Sequence, residues 1–291
     1  MSKLKRYQNQ VLPDEFNETT TEFHDSEEML KRLKEAKEKK ESVYAYCLST
    51  HRDTGELELE FMYGSNVIGN VPLDEVTYKQ NGDQVHIGRA IDTVGKIIGV
   101  KILDIDESDP DNIVVKCSRK DHVQEIADRY SKDIENNEFT DGMLVKGIVT
   151  GYDNNKVFVD IGGDVTAILG VADIARVYVK HPGTKYKTGD KVELAIKKLY
   201  ANPTKISLSR AMMLPGWESI DKRFSVGKIV PGMIKNKIPT GVFIELNESF
   251  EGLAENLPED KHYNFGDKVK VCILTIDKKR EKIKLKVIEN R

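Results

Sequence analysis

The sequence predicts a mainly β protein: three small five-stranded barrels in tandem, joined by short helical linkers and preceded by one helix. Three observations carry that prediction. From Glu41 onward apolar and polar residues alternate with period two, and turn residues recur about every 8–12 residues. Two later segments repeat the same pieces in the same order, the mark of an internal repeat. The chain has 291 residues, 39% hydrophobic but 32% charged, which suits several small solvated domains better than one large core.

Taken in order, residues 1–25 are polar, rich in Thr, Asn and Glu, and are expected to be disordered. Ser26 to Glu41 has a helical pattern, with Ser26 as N-cap and Met29, Leu30 and Leu33 on one face. The expected modules are a tail and helix over 1–41 and a degenerate barrel over 42–118. A helical linker over 119–138 and a barrel over 139–212 follow, then a linker over 213–224 and a barrel over 225–291. The linkers are read from the polar run Asp121 to Glu138 and from Met212 to Phe224 with its Pro215-Gly216-Trp217.

The repeat fixes the strands. One copy runs GMLVKGIVTGYDNNKVFVDIGG, VTAILGVADI, TGDKVELAIKKL, KISLSR; the other runs GKIVPGMIKNKIPTGVFIEL, FEGLAENL, FGDKVKVCILTID, KIKLKV. A weaker copy earlier runs SVYAYCLST, GELELEFMY, NVIGNVPLDEV, GKIIGVKILDIDE, NIVVKCSRK. Five strands in about 70 residues match the OB barrel, which binds oligonucleotides across one face. The string G-x-V-x-G-x-V, G-V-F-I-E-L, E-G-L, G-D-x-V-x-V-x-x-x-x-D and K-I-x-L resembles the S-one RNA-binding domain. That module takes its name from the large bacterial small-subunit ribosomal protein. The third copy matches the string best, the second nearly as well, the first poorly.

Alternation places the candidate RNA contacts. In Lys156–Ile161 the core face is Val157, Val159 and Ile161, which leaves Phe158 outside with Lys156. In Val242–Leu246 it leaves Phe243 outside. An outward aromatic can pack under a loop, but its recurrence in both copies favours a base-stacking platform. The resemblance implies the same, since the family's aromatic at this position belongs to its RNA face. Two departures reduce the stacking area: Asn155 and Thr240 stand where the family often has a second aromatic, and Gly170 and Glu255 where it often has His. Lys205, Lys282, Lys284 and Lys286 on the last strands supply cations for phosphates.

Charge is unevenly spread within a net of −3. Residues 42–118 hold 6 Lys and Arg against 13 Asp and Glu, residues 139–210 hold 11 against 7, and residues 225–291 hold 13 against 10. Anions are therefore steered to the two later copies. In the first copy Glu56, Glu58 and Glu60 face outward where the others place Phe. That acidic barrel is expected to be a protein-docking or spacer module; the resemblance implies a ribosome anchor, and RNA polymerase is the other candidate partner.

The remaining chemistry is sparse. His24, His51, His86, His122, His181 and His262 are scattered without ligand spacing, so no metal is expected. Gly162-Gly163-Asp164 lacks the Lys of a phosphate loop and reads as a hairpin turn. Asp104, Asp106, Asp109 and Asp111 lack the Gly and final Glu of a calcium loop and read as a solvated turn. Cys47, Cys117 and Cys272 lie in apolar runs, are expected to be buried thiols, and fit a reducing, cytoplasmic setting. No signal peptide and no run of about 20 apolar residues is present, so no membrane is expected. The expectation is a binding protein for single-stranded nucleic acid, not an enzyme, with no cofactor. RNA is favoured and single-stranded DNA fits the same residues. The resemblance implies translation or RNA handling in a bacterium or a mobile element. The alternative is a protein adaptor or transcription-associated factor that uses the barrels as docking modules.

Overall fold

The computed structural model describes residues 4–288 apart from 21–22, 24, 78–84, 201–204 and 256–262. It contains three closed five-stranded barrels, each preceded by a segment that plugs it.

Helix α1 (Ser26–Lys39) plugs the first. Its N-cap is Asp25, not the expected Ser26: the Asp25 carboxylate accepts from the Glu28 amide at 2.8 Å. Met29, Leu33 and Ala36, spaced four and three apart, bury one face against the barrel. The barrel follows as β1 (Ser42–Thr50), β2 (Leu57–Glu60), β3 (Val67–Val71), a short α2 (Ile87–Ile91), β4 (Ile97–Asp106) and β5 (Ile113–Ser118). Spatial order is β1-β2-β3-β5-β4, with β3 and β5 parallel. Leu57, Leu59 and Phe61 are fully buried, as alternation requires.

Helix α3 (Arg119–Glu135) is not the polar spacer expected from Asp121 onward. It starts two residues earlier and buries Val123, Ile126 and Tyr130. With Phe139 it closes the second barrel: β6 (Leu144–Tyr152), β7 (Lys156–Asp160), β8 (Thr166–Gly170), β9 (Lys191–Tyr200) and β10 (Lys205–Ser209). The second linker is also a plug. Trp217–Lys222 forms a 3-10 turn, and Ile220 and Phe224 enter the third core, where Trp217 and Phe224 meet Phe250 edge-on. The third barrel is β11 (Ile229–Ile238), β12 (Gly241–Asn247), β13 (Phe250–Glu255), β14 (Lys268–Asp277) and β15 (Lys282–Ile288). All three share strand order and a bulge in the first strand, at Cys47/Ser49, Val149/Gly151 and Ile234/Asn236. Cys47 and Cys117 are buried, whereas Cys272 is partly exposed.

Residues 5–17, within the stretch expected to be disordered, lie against the first two barrels. Leu144 exchanges backbone hydrogen bonds with Lys5 and Tyr7, and the buried Tyr7 ring stacks on Phe139 at 4.1 Å. The Gln10 amide donates to the carbonyls of Lys146 and Ile161 and accepts from the Lys146 amide. Composition missed this because the anchors are single side chains that satisfy backbone groups, not an apolar run. The strap also explains the Gly-Gly turn. Gly162 and Gly163 have φ of +111° and +63°, and a Cβ on Gly162 would lie 1.8 Å from the Val11 carbonyl oxygen.

The junctions between barrels repeat one device. The arginine after the fifth strand of one barrel reaches a carboxylate in the second-to-third-strand turn of the next. Arg119, after β5, binds Asp164 at 2.8 and 3.1 Å; Arg210, after β10, binds Glu248 at 2.5 Å.

Candidate nucleic-acid interface

Strand pairing defines one row of side chains across the outer wall of each barrel. In the second barrel the row is Gly151, Phe158, Ile168, Ser207 and Lys198. In the third it is Asn236, Phe243, Leu253, Lys284 and Thr275. In the first it is Ser49, Glu58, Asn70, Lys116 and Asp104. Phe158 and Phe243 thus hold equivalent positions. Both are partly exposed, between inward Val157 and Val159 and between inward Val242 and Ile244. Neither ring belongs to a barrel core.

The lysines lie near these rings. Lys156 places its Nζ 5.1 Å from the Phe158 ring centroid and 3.8 Å from Asp153. Lys205 is exposed at the start of β10, opposite Tyr200. Lys282, Lys284 and Lys286 are all exposed along β15; Lys284 sits beside Leu253 and 3.5 Å from Glu255. The row therefore brings Phe243 and Lys284 together through Leu253, and Phe158 and Lys198 through Ile168 and Ser207. Lys156 lies on the strand of Phe158, and Lys205 lies two residues along β10 from the row.

Sequence alternation missed part of this wall. Ile168 and Tyr200 are exposed, and Lys198 lies with its Nζ 5.0 Å from the Tyr200 centroid. The bulge opposite Ser207/Leu208 exposes Lys197 and Lys198 consecutively, so a strict period of two fails in β9. Tyr152, exposed at the end of β6 and edge-on to His181, was missed for a similar reason: it follows the bulge at Val149/Gly151.

The first barrel's wall carries different side chains. Glu58 occupies the position of Phe158 and Phe243, and its carboxylate accepts from the Ser49 hydroxyl at 3.0 Å. Asp104, at the end of the row, pairs with Lys37 of α1 at 2.8 Å. A carboxylate here repels phosphate and offers no stacking face.

Between the first and second barrels lies a cleft of about 410 Å³ lined by Arg89, Lys96, Arg119, Asp14, Asp160 and Asp164, among others. Burial alone would raise the Asp164 carboxyl, but the Arg119 guanidinium outweighs it and holds Asp164 below the usual carboxylate range. Asp160, partly buried and beside the Asp164 charge, is pushed up to about 7 by desolvation and that charge. His122, buried behind Arg119, falls to about 4. Among the described residues no cluster of His, Cys, Asp and Glu has the geometry of a metal site.

Residues 138–211 match the S1 RNA binding domain. That segment is the second barrel, with Phe158, Lys156 and Lys205, whereas the sequence string ranks the third copy closest. Small ribosomal subunit protein bS1 of Coxiella burnetii is 30% identical over 200 residues, 65% of this chain and 35% of that protein. The Chlamydia muridarum bS1 is 29% identical over 277 residues, 91% of this chain and 47% of that protein. The chain is an S1-domain protein, distantly related to bS1. It spans less than half the length of these bS1 relatives. A solved multidomain protein with nucleic acid binding domains from Streptococcus pneumoniae covers 86% of this chain and 74% of its own, at 12% identity and a TM-score of 0.24. The bS1 relationship and the three closed barrels agree with the resemblance and the fold class read from the sequence.

Proposed function

We propose that this chain binds single-stranded RNA along the outer walls of its second and third barrels and catalyses no reaction. One observation carries the reading: Phe158 and Phe243 occupy the same position of the same row in two barrels, each with lysines within the row or beside it. A phenyl ring on the wall stacks on any unpaired base, and ammonium groups beside it neutralise phosphates. Two modest sites on one chain gain affinity through effective concentration. The curated relatives are named as ribosomal proteins, which supports a role in translation or another RNA-handling step in the cytoplasm. No helix among the described residues is long and apolar enough to cross a membrane.

The test is a titration of single-stranded RNA at moderate salt with Phe158→Ala/Phe243→Ala. Loss of stacking at both walls should weaken binding by at least tenfold, from about 1–3 kcal/mol per base. Binding equal to the parent's overturns the assignment. A matched DNA oligonucleotide in competition decides between RNA and DNA.

The first barrel supports a second role as a protein dock, toward a ribosome or a polymerase. Leu48, Ile91 and Val94 are exposed, and the Gly95 amide to Cys47 carbonyl hydrogen bond brings Val94 next to β1. Leu48→Ser/Ile91→Ser should leave RNA affinity unchanged while reducing co-sedimentation with small ribosomal subunits. Unchanged co-sedimentation removes the ribosome from this role.

A further inference from the structure

Phe265 lies in the turn that leads into β14, and its ring is 55% exposed. The fold does not require a ring there. The amide of the next residue, Gly266, donates to the Ile234 carbonyl, and the same bond recurs as Gly189 to Val149 and Gly95 to Cys47. The residues equivalent to Phe265 are therefore Thr188 and Val94. A single exposed aromatic is ordinary. Here, however, two cations from two different barrels converge on it. Lys180, in the loop between β8 and β9 of the second barrel, and Lys235, in the β11 bulge of the third, each place Nζ 5.7 Å from its centroid.

The surroundings connect this ring to the wall described above. Lys235 is paired at 2.8 Å with Glu245, which lies two residues after Phe243 on the same face of β12. Phe265 thus extends the Phe243 wall toward the second barrel. The junction holds the two sides together: Glu248 accepts from Arg210 at 2.5 Å and Lys185 at 2.9 Å, its carbonyl accepts from the Arg176 amide, and Glu251 accepts from the Tyr178 amide. Lys235 is committed to Glu245. Lys180 has no carboxylate partner among the described residues.

We propose that the junction of the second and third barrels is a nucleotide subsite. One unpaired base stacks on Phe265 in place of a lysine, and its phosphate rests on Lys180. Among the described residues around the ring, Glu245 and Glu251 are negative and Lys235 is paired with Glu245, so Lys180 offers the favourable side. The subsite rests on the RNA-binding reading and deepens it: a contact at the junction joins the two tethered walls into one continuous surface.

The experiment uses the full chain and a single-stranded RNA of about 15 nucleotides, long enough to span two OB walls. Phe265→Ala should weaken binding by about 5- to 100-fold, and Phe265→Trp should restore it. Lys180→Ala should lower the slope of log affinity against log salt by about 0.7, the loss of one phosphate contact on a single strand. A merely structural role for Lys180 would leave that slope unchanged. Lys235 is left intact because its loss would orphan Glu245. If the parent binds and Phe265→Ala binds equally well, the subsite is wrong and the wall assignment stands. If the parent binds no RNA at low salt, both fall and the junction is a protein surface.

Discussion

The two inter-barrel junctions each pair an arginine with a carboxylate, at different depths. At the first, the Arg119 and Asp164 side chains are 8% and 15% exposed; at the second, Arg210 and Glu248 are 30% and 35% exposed. Arg119 also carries Asp14 of the N-terminal strap at 2.5 Å and donates to the Val76 carbonyl at 3.1 Å, while Thr77 donates to Asp164. The first junction is a largely buried network that meets solvent only along the cleft it lines. The second is an open clamp in which solvent can replace either partner. The same ion pair is thus a structural necessity in one place and an adjustment in the other.

The largest effect should come from Arg119→Ala. It leaves Asp14 without its guanidinium and Asp164 with only Arg89 at 3.7 Å and the Thr77 hydroxyl, and breaking a largely buried pair from one side costs about 3–5 kcal/mol. Urea unfolding should show a clear fall in midpoint for the unit formed by the first two barrels. Arg119→Lys should recover only part of it, because one ammonium cannot reproduce the guanidinium fork. A midpoint within error of the parent would erase the contrast between the junctions.

Asp160, at the edge of the same network, should act in the opposite sense. Its carboxyl is raised from 3.8 to about 7, first by burial and then by the Asp164 charge, and it accepts from the Gly162 amide. The folded value lies above the unfolded one. Its contribution to stability is therefore fully present below about pH 4 and is lost as pH rises through 7. Asp160→Asn keeps the acceptor for Gly162 and removes the charge. It should stabilise the protein at pH 8 and have little effect at pH 4. A gain independent of pH would show that Asp160 is not the titrating group.

This network also marks where the sequence stops being legible. Period-two strands, the repeat, and the outward Phe158 and Phe243 follow from local alternation, because each strand's core face is set by its own residues. Arg119, Asp14 and Asp164 are far apart in the chain, and nothing local tells a buried charge triad from three solvated residues. The strap escaped notice for the same reason. Tyr200, Lys198 and Tyr152 were hidden by bulges that reset the alternation. Phe265 and Lys180 come from different barrels and meet only once the junction forms.

A smaller effect compares the walls rather than the junctions. Glu58→Phe puts a ring at the row position that Phe158 and Phe243 occupy and removes a carboxylate. Lys116 remains in that row, two positions away, while Asp104 stays paired with Lys37. RNA affinity should rise by up to about tenfold, the low end of one stacked base. No gain would mean that the acidic surroundings, and not the single residue, set the first barrel apart.

The smallest effect should be Arg210→Ala. Glu248 keeps Lys185 at 2.9 Å and can turn to water, so the loss should be about 0.2–1 kcal/mol, within the range of exposed pairs. The backbone bond from Arg176 to the Glu248 carbonyl does not depend on the side chain and should keep the third barrel docked. Raising salt should shrink the difference between parent and variant, because an exposed pair is screened over about 8–10 Å. The Arg119→Ala deficit should persist under the same salt, because its charges are buried. Equal salt responses at the two junctions would mean that burial is not what separates them.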